Sequence, residues 1–342
     1  MNNSSLSTTS DYELSMIFLN AQIPAYMLWI LAATVNASTS LLSILVLHVT
    51  KLMSQKLRTI VIVHLVCEIL HNTTNITEAI FHISMALLKK AETTTAYQCF
   101  QYIGFTFCLM SFSNFIMFLV SIDRFLAIYY PSFYNTETHY SAMIKAIIVE
   151  IFAEFSRLFS AYFDIYPAGR IPVCLHRASQ GLYFGYYQLY VTVFLSVAPV
   201  LLYFSCFVNL WNGYYKARKS QNGNLVDVKK HLRDKITRAL VFMTIWQLLT
   251  TNIASFFAPF TRNLPYKGSL IGPYFGTLFY VNGLAFFIAN CVYVKTFRDG
   301  CRKILRKIFL CRSMAEINDL QITGGRIVIN SSNFTKHSSH LK

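Results

Sequence analysis

From Tyr102 to Ile122 the chain runs for 21 residues without a charged side chain. A helix needs about 20 apolar residues to cross the hydrocarbon core of a bilayer. Inside hydrocarbon every backbone N–H and C=O has to be bonded within the protein, so a lone stretch of this kind can only be a helix. It ends on Asp123 and Arg124, and Cys99 stands 25 residues before that arginine. At about 1.5 Å per residue this spacing is roughly 37 Å, the thickness of a membrane with its interfaces. One end therefore offers a thiol to one side of the membrane, and the other end offers an acid–base pair to the opposite side.

The pattern repeats. Apolar segments at about 25–49, 58–87, 97–122, 141–163, 183–212, 236–260 and 270–294 predict seven spans, and so an all-α membrane protein. Only 13% of the 342 residues are charged, against about 25% in a soluble domain. The net charge of +15 would fit nucleic acid if it were clustered on one surface, but its distribution follows the spans. With alternate loops assigned to alternate sides, 23 of the 30 lysines and arginines fall on the side of the tail and 6 on the side of the N-terminus, with Arg157 inside a span. The positive-inside rule then predicts an external N-terminus and a cytoplasmic tail, with anionic lipid rather than nucleic acid as the partner of the basic surface. Residues 1–24 read as an external tail and 25–297 as the bundle. A membrane-surface helix is expected over 298–311 and a disordered tail over 312–342. Met1 to Leu14 has neither a basic start nor an apolar core, so the first span is expected to act as its own insertion signal. Asn2 and Asn3 open overlapping glycosylation sequons on the external side.

Asp123-Arg124-Phe125-Leu126-Ala127-Ile128-Tyr129-Tyr130-Pro131-Ser132-Phe133-Tyr134 resembles the D-R-Y-x-x-I-x-x-P-x-x-Y segment of rhodopsin-like G-protein-coupled receptors. Phe125 replaces the tyrosine. Five positions in register, joined to a cysteine at the far end of the same apolar span, carry the resemblance. It implies a seven-helix receptor with an amphipathic eighth helix. Asp123 would hold Arg124 at rest, and Arg124, with Phe125, Pro131 and Tyr134 beside it, would meet a heterotrimeric G protein after helix movement. Of the eight cysteines, Cys99 and Cys174 alone fall at external positions, where oxidation is permitted. The resemblance implies a bridge between them.

Several positions depart from the pattern or add to it. The second span carries Glu68 with His64 and His71 on a similar face, and an acid at membrane depth faces the bundle interior. The resembled receptors hold sodium at an aspartate in this region. Glu68 is thus a candidate for that role or for a structural polar network, and no zinc-binding pattern completes the histidines. Asn36 lies earlier in the first span than the family's asparagine. The fourth span holds Glu150, Glu154 and Arg157 at i, i+4 and i+7, either as an intramembrane ion pair, as a recognition face, or as the mark of a drifted gene. Tyr183, Tyr186, Tyr187 and Tyr190 open the fifth span as an aromatic belt, some of them directed into the outer bundle. Pro199 is expected to kink that span. Phe242 and Trp246 resemble the family's Phe-xxx-Trp pair, but Leu248 stands where its proline is expected. Asn290 and Tyr293 resemble a degenerate N-P-x-x-Y with Cys291 in place of proline. Past them, Ile304, Leu305, Ile308 and Phe309 oppose Arg302, Lys303, Arg306 and Lys307, the two faces of an interfacial helix. Cys301 and Cys311 flank it as palmitoylation candidates.

No P-loop, nucleophile elbow, H-E-x-x-H or dinucleotide fingerprint occurs, so neither an enzyme nor a cofactor is expected. Thr106 occupies the place, eighteen residues before Arg124, where amine receptors carry an aspartate. The chain is similar to the expanded nematode chemosensory receptors. That implies a plasma-membrane receptor, in a sensory cilium by the same likeness, with an external small molecule held around Thr106, Met110, Tyr186, Tyr190 and Trp246. A neuropeptide receptor is the alternative within the class. An odorant-gated channel is the alternative outside it, opposed by the absence of Lys and Arg from residues 1–50. A secondary transporter would need repeat symmetry and broken helices near the midplane, and the chain has neither.

Overall fold

The computed structural model describes residues 4–51, 55–90, 94–134, 137–165, 170–171, 174 and 181–219, then 242, 245–246, 248–253, 274, 276–278, 280–281 and 283–309. Its long helices are α1 (Ser4–Thr50), α2 (Gln55–Leu87), α3 (Ala96–Tyr129), α5 (Glu137–Asp164) and α6 (Leu182–Lys219). Between α3 and α5 lies the single turn α4 (Pro131–Tyr134), and the chain closes through α7 (Leu284–Tyr293) and α8 (Lys295–Phe309). Four stretches among the described residues are long and apolar enough to cross a membrane: Ser15–Thr50, Leu57–Leu87, Ala96–Tyr129 and Tyr183–Asn209. Helix α5, at 28 residues, is long enough at about 42 Å, but the charges of its middle interrupt its apolar run. Most of the sixth span and the first part of the seventh lie outside the described residues.

Polarity is inverted relative to a soluble bundle. Leu31, Phe155, Phe159 and Leu201 are exposed, whereas Asn36, Glu68, Asn75 and Ser121 are buried. This is how helices solvated by hydrocarbon arrange themselves, with polar groups paired inside.

The first helix starts far earlier than residue 25. Ser15, Leu19, Gln22 and Tyr26 recur at helical spacing and are buried, and Phe18 and Leu19 pack on Ala86 of α2. A polar sequence read as a tail is therefore the outer extension of α1. Pro24 lies within the helix, which continues through it. Helix α2 ends in a Schellman turn: Lys89 sits at φ 52°, Lys89 N donates to Ala86 O at 3.1 Å and Lys90 N to Met85 O at 3.0 Å. Helix α3 opens on a capping box, with Gln98 N donating to Thr95 Oγ1 at 3.2 Å and Thr95 N to Gln98 Oε1 at 3.1 Å. It runs through Asp123 and Arg124 to Tyr129. The charges end the apolar run without ending the helix, because their peptide groups still bond internally. Pro131, which has no N–H to give, breaks it and starts α4.

At the Cys99 end of α3, Thr94–Thr95 pairs antiparallel with Arg170–Ile171. Cys99 and Cys174 are bridged with Cα atoms 5.3 Å apart, in a cluster with Phe100, Ile103, Ala161, Ile165 and Phe184. The expected disulfide is thus present, and it ties the loop after α5 to the top of α3. Deeper, Ile60 and Cys67 of α2 meet Ile116 and Leu119 of α3 and Met143 and Ile147 of α5. At the opposite end of the bundle Val46 and Leu47 of α1 pack with Leu57 and Val61 of α2, Phe286 of α7, and Phe297, Cys301 and Ile304 of α8.

Candidate functional site

Two polar centres lie along α3. The first is at mid-depth around Glu68. Asn36 Nδ2 of α1 donates to Glu68 Oε2 at 2.9 Å, and the hydroxyl of Ser113 of α3 donates to Glu68 Oε1. Ser113 Oγ also lies 3.3 Å from His64 Nδ1, within hydrogen-bonding distance. All four residues are buried. The seventh segment reaches this centre through Gly283. A Cβ there would lie 2.4 Å from Asn36 Oδ1 and 2.8 Å from Glu68 Oε2, so only glycine permits the approach. Asn36 thus occupies the structural place opposite the second-span acid, although its number looked too early for that. His71 turns instead toward Tyr280, with ring centroids 5.9 Å apart, and Tyr280 donates to Asn75 Oδ1 at 3.2 Å.

The second centre is at the inner end of α3. Arg124 lies 3.3 Å from Asp123 through Nη2 and Oδ2, with the aspartate side chain 5% exposed and the arginine 35%. The acid is buried and the arginine half-buried, close to Tyr203 and Cys206 of α6. Phe125 stacks on Tyr129 at 4.5 Å and packs with Ile128 against the buried Tyr203 and Cys206 of α6. Tyr129 donates to Ser205 O at 3.0 Å. Helices α3 and α6 are therefore joined at their inner ends, beside the Asp123–Arg124 pair. Pro131 and Tyr134 frame the turn α4 just below.

In the outer half, Thr106 and Ser111 are buried, and Gln188 Nε2 of α6 donates to Ser111 Oγ at 2.5 Å. Met110 is half-buried. Tyr186 and Tyr190 do not share this interior. They are 46% and 71% exposed, on the outward side of α6, where tyrosines meet the membrane interface. The inward stripe is Gln188, Thr192 and Ser196, all buried. Their i, i+4, i+8 spacing is legible in the sequence, beside the aromatic run that faces the other way.

The charged face of α5 is a closed triad. Arg157 Nη2 meets Glu150 Oε1 at 2.7 Å, and Nη1 meets Glu154 Oε1. One guanidinium thus serves both carboxylates, where only the Glu154 partner was expected. Trp246 lies one turn from Phe242, with rings 5.7 Å apart, and its Nε1 donates to Val281 O at 3.1 Å. Just past it Leu248–Asn252 forms a π-helical turn. Leu248, the first residue of this turn, stands where a proline was expected, and π turns are one of the features at which helices kink without proline. Asn290 Nδ2 donates to Phe286 O of its own helix at 2.7 Å.

Cys301 is buried in the inner cluster, so its thiol is packed rather than offered to an acyl donor. Asn2, Asn3 and Cys311 lie outside the described residues.

No curated protein matches the chain. The family model described as serpentine type 7TM GPCR chemoreceptor Srsx matches residues 34–305. That interval takes in Glu68, the Asp123–Arg124 pair, both bridged cysteines and the elbow between α7 and α8. With four-fifths of its length matched, the chain belongs to the serpentine 7TM GPCR chemoreceptor family Srsx.

Proposed function

We propose that this chemoreceptor binds an external small molecule in the outer half of its bundle and activates a heterotrimeric G protein at its inner face. The carrying observation is the Asp123–Arg124 pair at the inner end of α3, with the arginine half-buried and α6 packed alongside. A receptor needs two states that a ligand biases by differential affinity. The joined ends of α3 and α6 supply a contact that can be made in one state and broken in the other. Ligand contacts fall to Thr106, Ser111 and Gln188 rather than to Tyr186 and Tyr190, because the former face the interior. The N-terminus lies outside, and α8 rests on the inner leaflet of the plasma membrane through its basic face. Nothing in this reading calls for catalysis, in keeping with a family that is generally non-enzymatic.

The sodium ion held by related receptors fits the mid-depth centre by donor chemistry. Glu68, Ser113 and Asn36 present oxygen atoms, and Asn36 Oδ1 is buried without a hydrogen-bond partner. Such a set suits a hard monovalent cation, whose bound charge would offset that of Glu68.

The test is G-protein activation in membranes expressing the chain, comparing wild type with Arg124→Ala at equal surface expression over small-molecule and peptide pools. A response lost at least tenfold in Arg124→Ala is expected. A response unchanged by that substitution would remove Arg124 from coupling, and one confined to peptides would transfer the chain to the neuropeptide class.

A further inference from the structure

Helix α7 ends at Tyr293, Val294 makes the elbow, and α8 begins at Lys295. Two cysteines ten residues apart come together across this elbow. Cys301, on the buried side of α8, belongs to the inner core cluster, and Cys291 of α7 packs against that cluster. The two side chains lie close enough to influence each other's ionisation, and both are free thiols. Arg298, between them in sequence, donates from Nη1 to Cys291 O at 3.3 Å and to Val292 O at 3.4 Å. Its guanidinium is thereby fixed beside Cys291. Packing alone would accept alanine or serine at either position, and the resembled motif carries proline at 291. What this chain has instead is a dithiol with an adjacent cation.

We propose that Cys291 and Cys301 are a modification site, an oxidisable pair that hydrogen peroxide converts into a reversible disulfide across the α7–α8 elbow. The reaction balances in two steps. Cys291, the less buried thiol and the one beside Arg298, attacks the peroxide as thiolate. Its sulfur takes one oxygen to become a sulfenic acid, and the second oxygen leaves as water. Cys301 then attacks that sulfur, the S–O bond breaks, and the hydroxyl leaves with the Cys301 proton as a second water. One peroxide is reduced and two thiols are oxidised. The order follows from exposure: Cys291 is half-buried and meets the peroxide first, whereas burial pushes the Cys301 thiol up to about 12, so Cys301 stays protonated and acts second. Hydrogen peroxide is small and uncharged, which suits an approach to half-buried sulfur. In a reducing compartment such bridges are transient and sensing rather than structural. The bridge would pin the first turn of α8 to the end of α7, where a hydrogen-bonded elbow now holds them.

The test uses the full chain in membranes. Samples are exposed to graded hydrogen peroxide, capped with N-ethylmaleimide and digested with trypsin. Cleavage after Lys295 and Arg298 leaves the two cysteines on separate peptides. The expected result is a Cys291–Cys301 linked pair that rises at least tenfold with peroxide and disappears on reduction. Cys301→Ala, which keeps a small apolar side chain in the cluster, should lose the pair and accumulate Cys291 sulfenic or sulfinic acid. Should that variant not fold, differential alkylation of wild type decides the question: peroxide should protect both cysteines from maleimide in parallel. Overoxidation of Cys291 with Cys301 still alkylated, or alkylation of both at unchanged rates, would overturn the proposal. Each readout concerns the chain's own chemistry and stands apart from ligand and G protein.

Discussion

At the scale of the residue, the membrane interior makes charge placement expensive, and among the described residues this chain buries ionisable side chains there in partnered groups. The Glu150–Glu154–Arg157 triad sets the sharpest expectation. Removing one partner of a buried pair strands the other and costs about 3–5 kcal/mol, whereas replacing the whole set with apolar residues of similar volume is near neutral. Arg157→Ala should therefore lower the yield of folded, surface-expressed protein severalfold and depress its unfolding temperature in detergent. The triple change Glu150→Leu, Glu154→Leu, Arg157→Met should recover most of that loss. Equal damage from both would mean that the triad does more than satisfy itself. Glu68 and Arg157 were legible as buried polar groups because charge within an apolar run is conspicuous. Ser113 was not, because serine in such a helix usually bonds to its own backbone, as Ser43 and Thr50 do here.

At the scale of the element, the periodic pattern found the helices, and tertiary contacts moved their ends. Helix α1 is extended by its packing on α2, and α3 outlasts its apolar run until Pro131. The close seating of α8 on α1 depends on Gly300, where a Cβ would meet Thr50 Cγ2 at 2.9 Å and Val46 Cγ1 at 3.0 Å. Both neighbours are β-branched and stiff, so a side chain there has to push the helices apart. Gly300→Val is expected to cost about 1–3 kcal/mol by overpacking, read as a lower thermal midpoint in detergent, while Gly300→Ala should show a smaller drop. An unchanged midpoint in Gly300→Val would mean that α8 sits off α1 in the membrane. The amphipathic stripe announced α8 as a surface helix. It did not announce that Phe297, Cys301 and Ile304 belong to the core of the bundle, because a face that suits lipid also suits protein.

At the scale of the whole molecule, charge asymmetry and hydrophobic length act together. The excess of lysine and arginine on one side predicts an outward N-terminus. A tag at residue 1 should therefore be labelled by antibody on intact cells, and a tag after Lys342 only after permeabilisation. The reverse pattern would return the odorant-channel topology to consideration. The sequence by itself determined the class of solvent and the family, and through the family resemblance the pairing of Cys99 with Cys174, because length, charge and short motifs are local or additive properties. It also located Asp123 and Arg124, whose meaning lies in adjacency along one helix. Only the tertiary structure decided that Asn36, Glu68 and Ser113 meet, that Gly283 opens the way to them, that Tyr186 and Tyr190 face outward, and that Cys291 lies beside Cys301. Each of these depends on how one helix is rotated and shifted against another. Periodicity fixes which residues share a face, but the facing partner is set by the packing of all the helices at once.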